Sequence, residues 1–382
     1  MRIGLGITAW AKGLDRRHLD GIGVYTQNLW HSLDALGCDM HGVRFGPRAA
    51  PAPELPERHT CLRSRFKFQA ACSSLTGLPF FSTGHCEKQV DVFHATDHHI
   101  PKLRRTPVIA TIMDAIPLAH PEWVSKNLRL LKNFAFKRSA GWCERIITIS
   151  QYSKQDIVEH FNVPPELIDI IPLGVHEAFF ERSTQEQIEQ VLQKHGVRRG
   201  SFVFVGTLQP RKNLCRVIEA HRRLPSSIRD EHPLLIIGKY GWGDEALPQT
   251  LHRLQHDGRC HWLEDVSDAE LRPLLQSATA LVYPSLYEGF GLPILEGFAS
   301  NIPVISSNTT AIPEVAGDAA LLIDPESVDE IADAMARLAD DADMARSLVA
   351  RGRDRARTFT WEQCARQTQV VYRQIAGGKQ AT

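Results

Sequence analysis

The chain has 382 residues, 43% hydrophobic and 23% charged, with 44 Lys/Arg balanced by 44 Asp/Glu. Such a length allows about two to three domains and a sizeable core, and the composition is that of a globular enzyme. No run of about 18 apolar residues occurs, which argues against a membrane-spanning helix, and residues 1–7 are too short for a signal peptide. A cytoplasmic protein without a nucleic-acid partner is expected. The charge is unevenly spread: residues 1–172 hold 21 Lys/Arg and 16 Asp/Glu, residues 173–382 hold 23 and 28. A basic first half suits an anionic acceptor or membrane surface, and chance imbalance suits it equally. The eight cysteines form no C-x-x-C pair and are expected to be free thiols.

In chain order, strand-like apolar runs occupy 2–8, 91–95, 107–113, 145–149 and 168–172. A second series occupies 201–206, 233–238, 259–263, 278–283, 302–306 and 319–323. Longer amphipathic stretches separate them. Nearly continuous apolar strands between helices indicate parallel sheets covered on both faces. The pattern occurs twice, so an α/β chain of two domains is expected, 1–174 and 175–360, followed by a helix in 361–382. A polar helix over 181–195 is expected to lead into the second sheet, and residues 377–382 read as a frayed tail.

Several short segments carry chemistry. Gly4 and Gly6 fit G-x-G-x-x-A only superficially, because they fall inside the first strand rather than after it. Residues 20–26 hold Gly21 and Gly23 before a helix with Tyr25, Leu29 and Leu33 on one face; a simple helix cap is the alternative reading. Arg63, Arg65, Phe66, Lys67 and Phe68 suit an anionic membrane surface or a flexible acceptor loop. His94, Asp97, His98 and His99 cluster after a strand, where hydrogen-bonded loop histidines are favoured over a metal site. Asp114 follows the next strand as a possible base or a structural carboxylate. Ser150 opens a helix and suits a cap, or a place lining a cleft. Asp341-Ala342-Asp343 is read as a solvated helix face.

The two most informative segments lie in the second half. Residues 202–213 run from a strand through Gly206 to Pro210-Arg211-Lys212-Asn213. Two cations at a helix start conflict with the positive end of the helix dipole, and a bound diphosphate would resolve the conflict. Residues 283–296 run from a strand end through Glu288-Gly289-Phe290-Gly291 into a helix that carries Glu296. Backbone N–H groups there suit a diphosphate, and the carboxylates suit sugar hydroxyls.

Residues 283–296 resemble the Glu-x7-Glu signature of retaining family 4 glycosyltransferases. Residues 206–213 resemble the G-T-x-x-P-R-K-N form of the O-antigen mannosyltransferase branch. The resemblance implies the GT-B fold, two facing Rossmann-like domains with an interdomain cleft, acceptor in the first and donor in the second. It also implies that the last helix crosses back to the first domain, with Trp361, Val370, Val371 and Tyr372 as packing residues. Glu288 would contact the donor sugar and Glu296 the ribose. Arg211 and Lys212, with backbone near Phe290, Gly291 and Leu292, would stabilise the leaving diphosphate. Val266 would seat the base, and Gly23 would approach the donor phosphate. His94, His98 and Ser150 are acceptor-side candidates. Many relatives have a His at Met113 or Asp114, which is missing here, and Asp114 is the remaining candidate base. The implied reaction is retaining, metal- and cofactor-free transfer of mannose or D-rhamnose from a GDP-sugar. The acceptor would be a lipid-linked glycan of O-antigen or lipopolysaccharide, and the enzyme could touch the membrane peripherally. A UDP-sugar donor, an epimerase, and a non-catalytic nucleotide-sugar or glycan binder are the alternatives.

Overall fold

A computed structural model describes residues 1–16, 19–46, 54–62, 65–123 and 129–378. The chain forms two compact units, Met1–Gly174 with Thr360–Thr382, and Val175–Phe359.

The first unit holds a seven-stranded sheet: β1 (Arg2–Gly6), β2 (Asp39–Phe45), β3 (His59–Leu62), β4 (Val92–Ala95), β5 (Val108–Thr111), β6 (Arg145–Thr148) and β7 (Ile168–Ile170). The second holds six: β8 (Phe202–Val205), β9 (Leu234–Ile237), β10 (Cys260–Leu263), β11 (Ala280–Tyr283), β12 (Val304–Ser307) and β13 (Leu321–Ile323). Every pairing is parallel. The orders are β3-β2-β1-β4-β5-β6-β7 and β10-β9-β8-β11-β12-β13. In each, the chain reverses its direction of growth between two central strands, β1/β4 and β8/β11. In such sheets ligands bind beyond the carboxyl ends of the strands at that switch point.

Phe202, Phe204, Ile236, Val282 and Ile305 are buried in the second unit's core, where each large apolar side chain contributes roughly 1.5–3 kcal/mol. Phe93, Ile146 and Ile157 serve similarly in the first. Gly297 lets the Leu292–Ala299 helix lie on the sheet, since a Cβ there would meet Leu281 Cδ2 at 2.9 Å.

Strands β2 and β3 were not expected. Asp39, His41, Gly42 and Arg44 interrupt the apolar run of β2, and β3 is a short edge strand of sequence His-Thr-Cys-Leu. The first strand stops at Gly6, because Thr8 already begins a helix, Thr8–Asp15. The polar helix starts at Gln185 rather than 181: Thr184 and Gln187 form a capping box, and Gly196 in left-handed conformation ends it at His195. The final helix, Trp361–Gly378, extends past the expected start of a frayed tail, and residues 379–382 lie outside the described residues. Gly174 admits this helix: a Cβ there would lie 2.2 Å from the Trp361 nitrogen. Trp361, Val371 and Tyr372 are buried, whereas Val370 is 49% exposed and does not pack as expected. All eight cysteines are free.

Candidate functional site

The loops following β8 and β11 interlock. Pro210–Lys212 is a single 3-10 turn that ends at Asn213, held in the left-handed region at φ 66°. The Asn213 amide donates to the carbonyls of Pro284 (2.9 Å) and Pro325 (2.7 Å), clamping the turn to the end of β11. The Leu286 amide donates to the Arg211 carbonyl at 2.8 Å. These bonds bring Arg211 and Lys212 to Glu288, over 70 residues away in sequence.

Three donors converge on one carboxylate oxygen, Glu288 Oε1: Lys212 Nζ at 2.5 Å, Arg211 Nη1 at 2.9 Å and Tyr283 Oη at 2.8 Å. Lys212 also donates to the Tyr283 hydroxyl and lies 4.7 Å from the centre of that ring. Arg211 Nη1 donates to the Tyr287 carbonyl at 3.1 Å. Glu288 is buried, which alone would favour its protonated form. The Arg211 and Lys212 charges, with hydrogen bonds from Lys212 and Tyr283, win, and the carboxyl is held at about 2. It is therefore an anion at neutral pH, flanked by two cations.

The next turn supplies further donors. Gly291, at φ 104°, caps the Leu292–Ala299 helix, and Pro293 takes its second position. The amides of Phe290, Gly291 and Leu292 find no hydrogen-bond partner among the described residues. Cations beside unpaired amides at a helix start form an anion site. Glu296 stands one turn into this helix, half-buried. Burial, then the nearby Asp268, raise its carboxyl to about 7, against the pull of Lys212. Val266, also half-buried, lies on the loop before the Asp268–Gln276 helix.

The first unit uses its candidates differently. The Gly23 amide donates to Asp20 Oδ1 at 2.8 Å, so this glycine serves the helix cap rather than presenting its N–H to a donor phosphate. His94 does not reach an acceptor. It is fully buried on β4, with Nδ1 2.7 Å from the Tyr372 hydroxyl and Nε2 2.8 Å from Thr111 Oγ1. Burial pushes its imidazole down to about 3, so it is a neutral core group. Ser150 is also fully buried and caps the Gln151–Phe161 helix by accepting from the Ser153 amide at 3.0 Å, which removes it from the acceptor side. His98 is exposed, edge-on to Phe136 at 4.5 Å. Asp114 accepts from the Ile116 amide at 3.0 Å.

Among the described residues, no group of three or more His, Cys, Asp or Glu side chains is arranged to hold a metal ion. Asp341 caps the Ala342–Ala356 helix and Asp343 pairs with Arg346 on its exposed face. Sequence reading missed Tyr283 and Thr310, whose hydroxyl accepts from the Glu288 amide at 3.3 Å. Thr310 stands at φ 60° and carries no local sequence signal.

Residues 19–179 match Glycosyltransferase Family 4, and residues 185–355 match Glycosyl transferases group 1. The O-antigen chain mannosyltransferase B of Escherichia coli is 34% identical over 283 residues, 74% of this chain and 74% of that protein. The MMP alpha-(1->4)-mannosyltransferase of Mycolicibacterium hassiacum is 32% identical over 281 residues, 70% of this chain and 65% of that one. Among solved structures, sucrose-phosphate synthase from Thermosynechococcus elongatus superimposes with TM-score 0.75 at 18% identity, covering 99% of this chain and 100% of that one, a likeness of fold. WaaG, a glycosyltransferase involved in lipopolysaccharide biosynthesis, gives TM-score 0.70 at 15% identity, covering 96% and 98%. The chain belongs to the GT-B glycosyltransferases that join a Family 4 domain to a group 1 domain, and it is an enzyme of glycosyl transfer.

Proposed function

We propose that this glycosyltransferase moves a hexose, mannose or D-rhamnose, from a GDP-sugar to a lipid-linked glycan in O-antigen, lipopolysaccharide or another polysaccharide. Transfer proceeds with retention and without a metal. The observation that carries the reading is the convergence of Arg211 and Lys212 on Glu288 beside the unpaired amides of residues 290–292. Mannosyltransferases among its relatives support mannose and polysaccharide synthesis.

The departing nucleoside diphosphate gains negative charge as the glycosidic bond breaks. Fixed cations and amides at that place stabilise the charge, the work otherwise given to a metal ion. Glu288, kept ionised, accepts from donor-sugar hydroxyls. Glu296 receives the ribose, with Val266 beside the base. Asp114 is the proposed base for the acceptor hydroxyl, with His98 on the acceptor side. Among the described residues no helix is long and apolar enough to cross a membrane. A cytoplasmic enzyme touching the membrane peripherally is the proposed location.

The test is turnover of GDP-mannose, GDP-D-rhamnose and UDP-glucose by the purified protein, with and without EDTA, followed by assignment of the product anomer by NMR. Selective use of a GDP-sugar, indifference to EDTA and an α-linked product from the α-configured donor are expected. Selective use of UDP-glucose, loss of activity with EDTA, or an inverted anomer would each overturn its part of the reading.

A further inference from the structure

We propose that Tyr283 is a positioning residue for glycosyl transfer: its hydroxyl holds Glu288 by one carboxylate oxygen, Oε1, and so reserves the other, Oε2, for a hydroxyl of the donor sugar. The inference rests on the reading of Glu288 as the donor-sugar contact and is independent of which base the donor carries.

Tyr283 is the last residue of β11, a strand whose four residues are all buried. Its own side chain is fully buried, and close packing leaves it one orientation. The ring lies 6.5 Å, centre to centre, from that of Phe204 on β8. Tyr283 pairs with Ser306 of β12, and its carbonyl accepts from the Ser306 hydroxyl at 2.7 Å. The phenol therefore projects from a rigid element, where a supporting group is held more precisely than on a loop.

Glu288 is bonded unevenly. The loop after β12 holds its peptide on both sides: the Glu288 amide donates to Thr310 Oγ1 at 3.3 Å, and the Glu288 carbonyl accepts from the Ala311 amide at 3.3 Å. Lys212, Arg211 and Tyr283 all meet Oε1. Among the described residues none of these bonds ends on Oε2, although the side chain is only 9% exposed. A buried, ionised oxygen without a donor is costly, and a ligand hydroxyl offsets that cost.

The three donors on Oε1 are not equivalent. Arg211 and Lys212 are the cations assigned to the departing diphosphate, and a cation turned towards that charge gives less to Glu288. Tyr283 is neutral and stays so: burial first, then the charge of Glu288, push its phenol well above the usual 10. It keeps its bond to Oε1 while the cations serve the diphosphate. Lys212 donates to the same hydroxyl and stands 4.7 Å from the centre of the ring. The hydroxyl thus accepts from Lys212 and donates to Glu288, linking the leaving-group side of the site to the sugar side.

Tyr283→Phe keeps the ring and removes only the hydroxyl. It is tested alone and in a Glu288→Gln background, by nucleotide release from GDP-mannose, GDP-D-rhamnose and UDP-glucose and by isothermal titration of GDP and UDP. With the sugar nucleotide that the wild type turns over, Tyr283→Phe should lower kcat about tenfold or more, the loss expected for one hydrogen bond to a charged group. Affinity for the nucleoside diphosphate alone should stay unchanged. In Glu288→Gln the same substitution should lower kcat further by less than about twofold, because the hydroxyl acts through the carboxylate. Phe204→Leu loosens the packing around the same ring and keeps the hydroxyl; it should lower the unfolding temperature and leave kcat of the folded enzyme near wild type. Unchanged kcat in folded Tyr283→Phe, an equal loss in both Glu288 backgrounds, or a matching loss in Phe204→Leu would each overturn the proposal. Failure of the Glu288 reading would show separately, as wild-type turnover in Glu288→Gln. Turnover of UDP-glucose alone would remove the GDP reading and leave the test of Tyr283 intact.

Discussion

The two sheets share a switch-point topology, yet their central strand ends hold opposite kinds of polar chemistry. Beyond β8 and β11 the buried polar groups are ionised: Glu288 is an anion between Arg211 and Lys212. Within β4 and β5 and the helices packed on them they are neutral: His94, Thr111, Tyr25 and Tyr372 satisfy one another by hydrogen bonds, and only past the end of β4 does a buried carboxylate, Asp97 against His99, appear. A neutral, fully paired network costs little to bury and ties the last helix to the first sheet. A buried ionic cluster is a poor way to gain stability, because desolvation offsets much of the attraction. Its retention beside unpaired amides supports the proposed anion site.

The largest expected effect breaks the ionised side. Lys212→Ala should lower turnover of GDP-mannose by about 10²–10³, the magnitude known for one lost donor to a developing anion. Thermal unfolding must be measured alongside, since Glu288 loses a partner. Unchanged turnover in a folded variant would contradict the role of Lys212. On the neutral side, His94→Ala should cost about 2–4 kcal/mol of stability, from the cavity and the unpaired Thr111 and Tyr372 hydroxyls. Kinetic constants of the folded fraction should stay near wild type; a selective rise in acceptor KM would reinstate His94 in the acceptor site.

The contrast was only half legible in the sequence. Arg211, Lys212 and Glu288 each follow an apolar strand, and that local pattern suffices to nominate them. Their meeting at one carboxylate oxygen depends on Asn213 bridging Pro284 and Pro325, which no spacing reveals. Tyr283 read as the last apolar residue of a strand, which hides its hydroxyl's part in the cluster. His94 misled for the opposite reason. It adjoins a loop rich in His and Asp, but it stands on β4, and its partner Tyr372 is 278 residues away. The β2 and β3 strands escaped because polar residues fill positions that an apolar run would occupy.

Glu296 sharpens the comparison through pH. Its folded carboxyl keeps its proton up to about 7, against an ordinary 4.5. Between those values the folded state binds more protons than the unfolded, so this residue's contribution to stability falls as pH rises through the window. Donor affinity should move the other way, because ribose hydroxyls favour the carboxylate, and should level off above about 7. Glu296→Gln should flatten both profiles, measured by thermal unfolding and GDP titration. Parallel profiles in variant and wild type would remove Glu296 from the donor site.

The smallest effect isolates a cap from a contact. Ser150 accepts from the Ser153 amide at the start of its helix. Ser150→Ala leaves that amide without its acceptor and should cost about 1 kcal/mol. Ser150→Asp restores an acceptor but places a charge in a fully buried position, so it should not recover the loss; Ser150→Thr keeps the hydroxyl and should recover most of it. An acceptor contact would give another ordering, because a glycan bound through the hydroxyl registers its removal in KM whatever happens to stability. Parallel losses of stability with a constant acceptor KM would therefore assign Ser150 wholly to the helix.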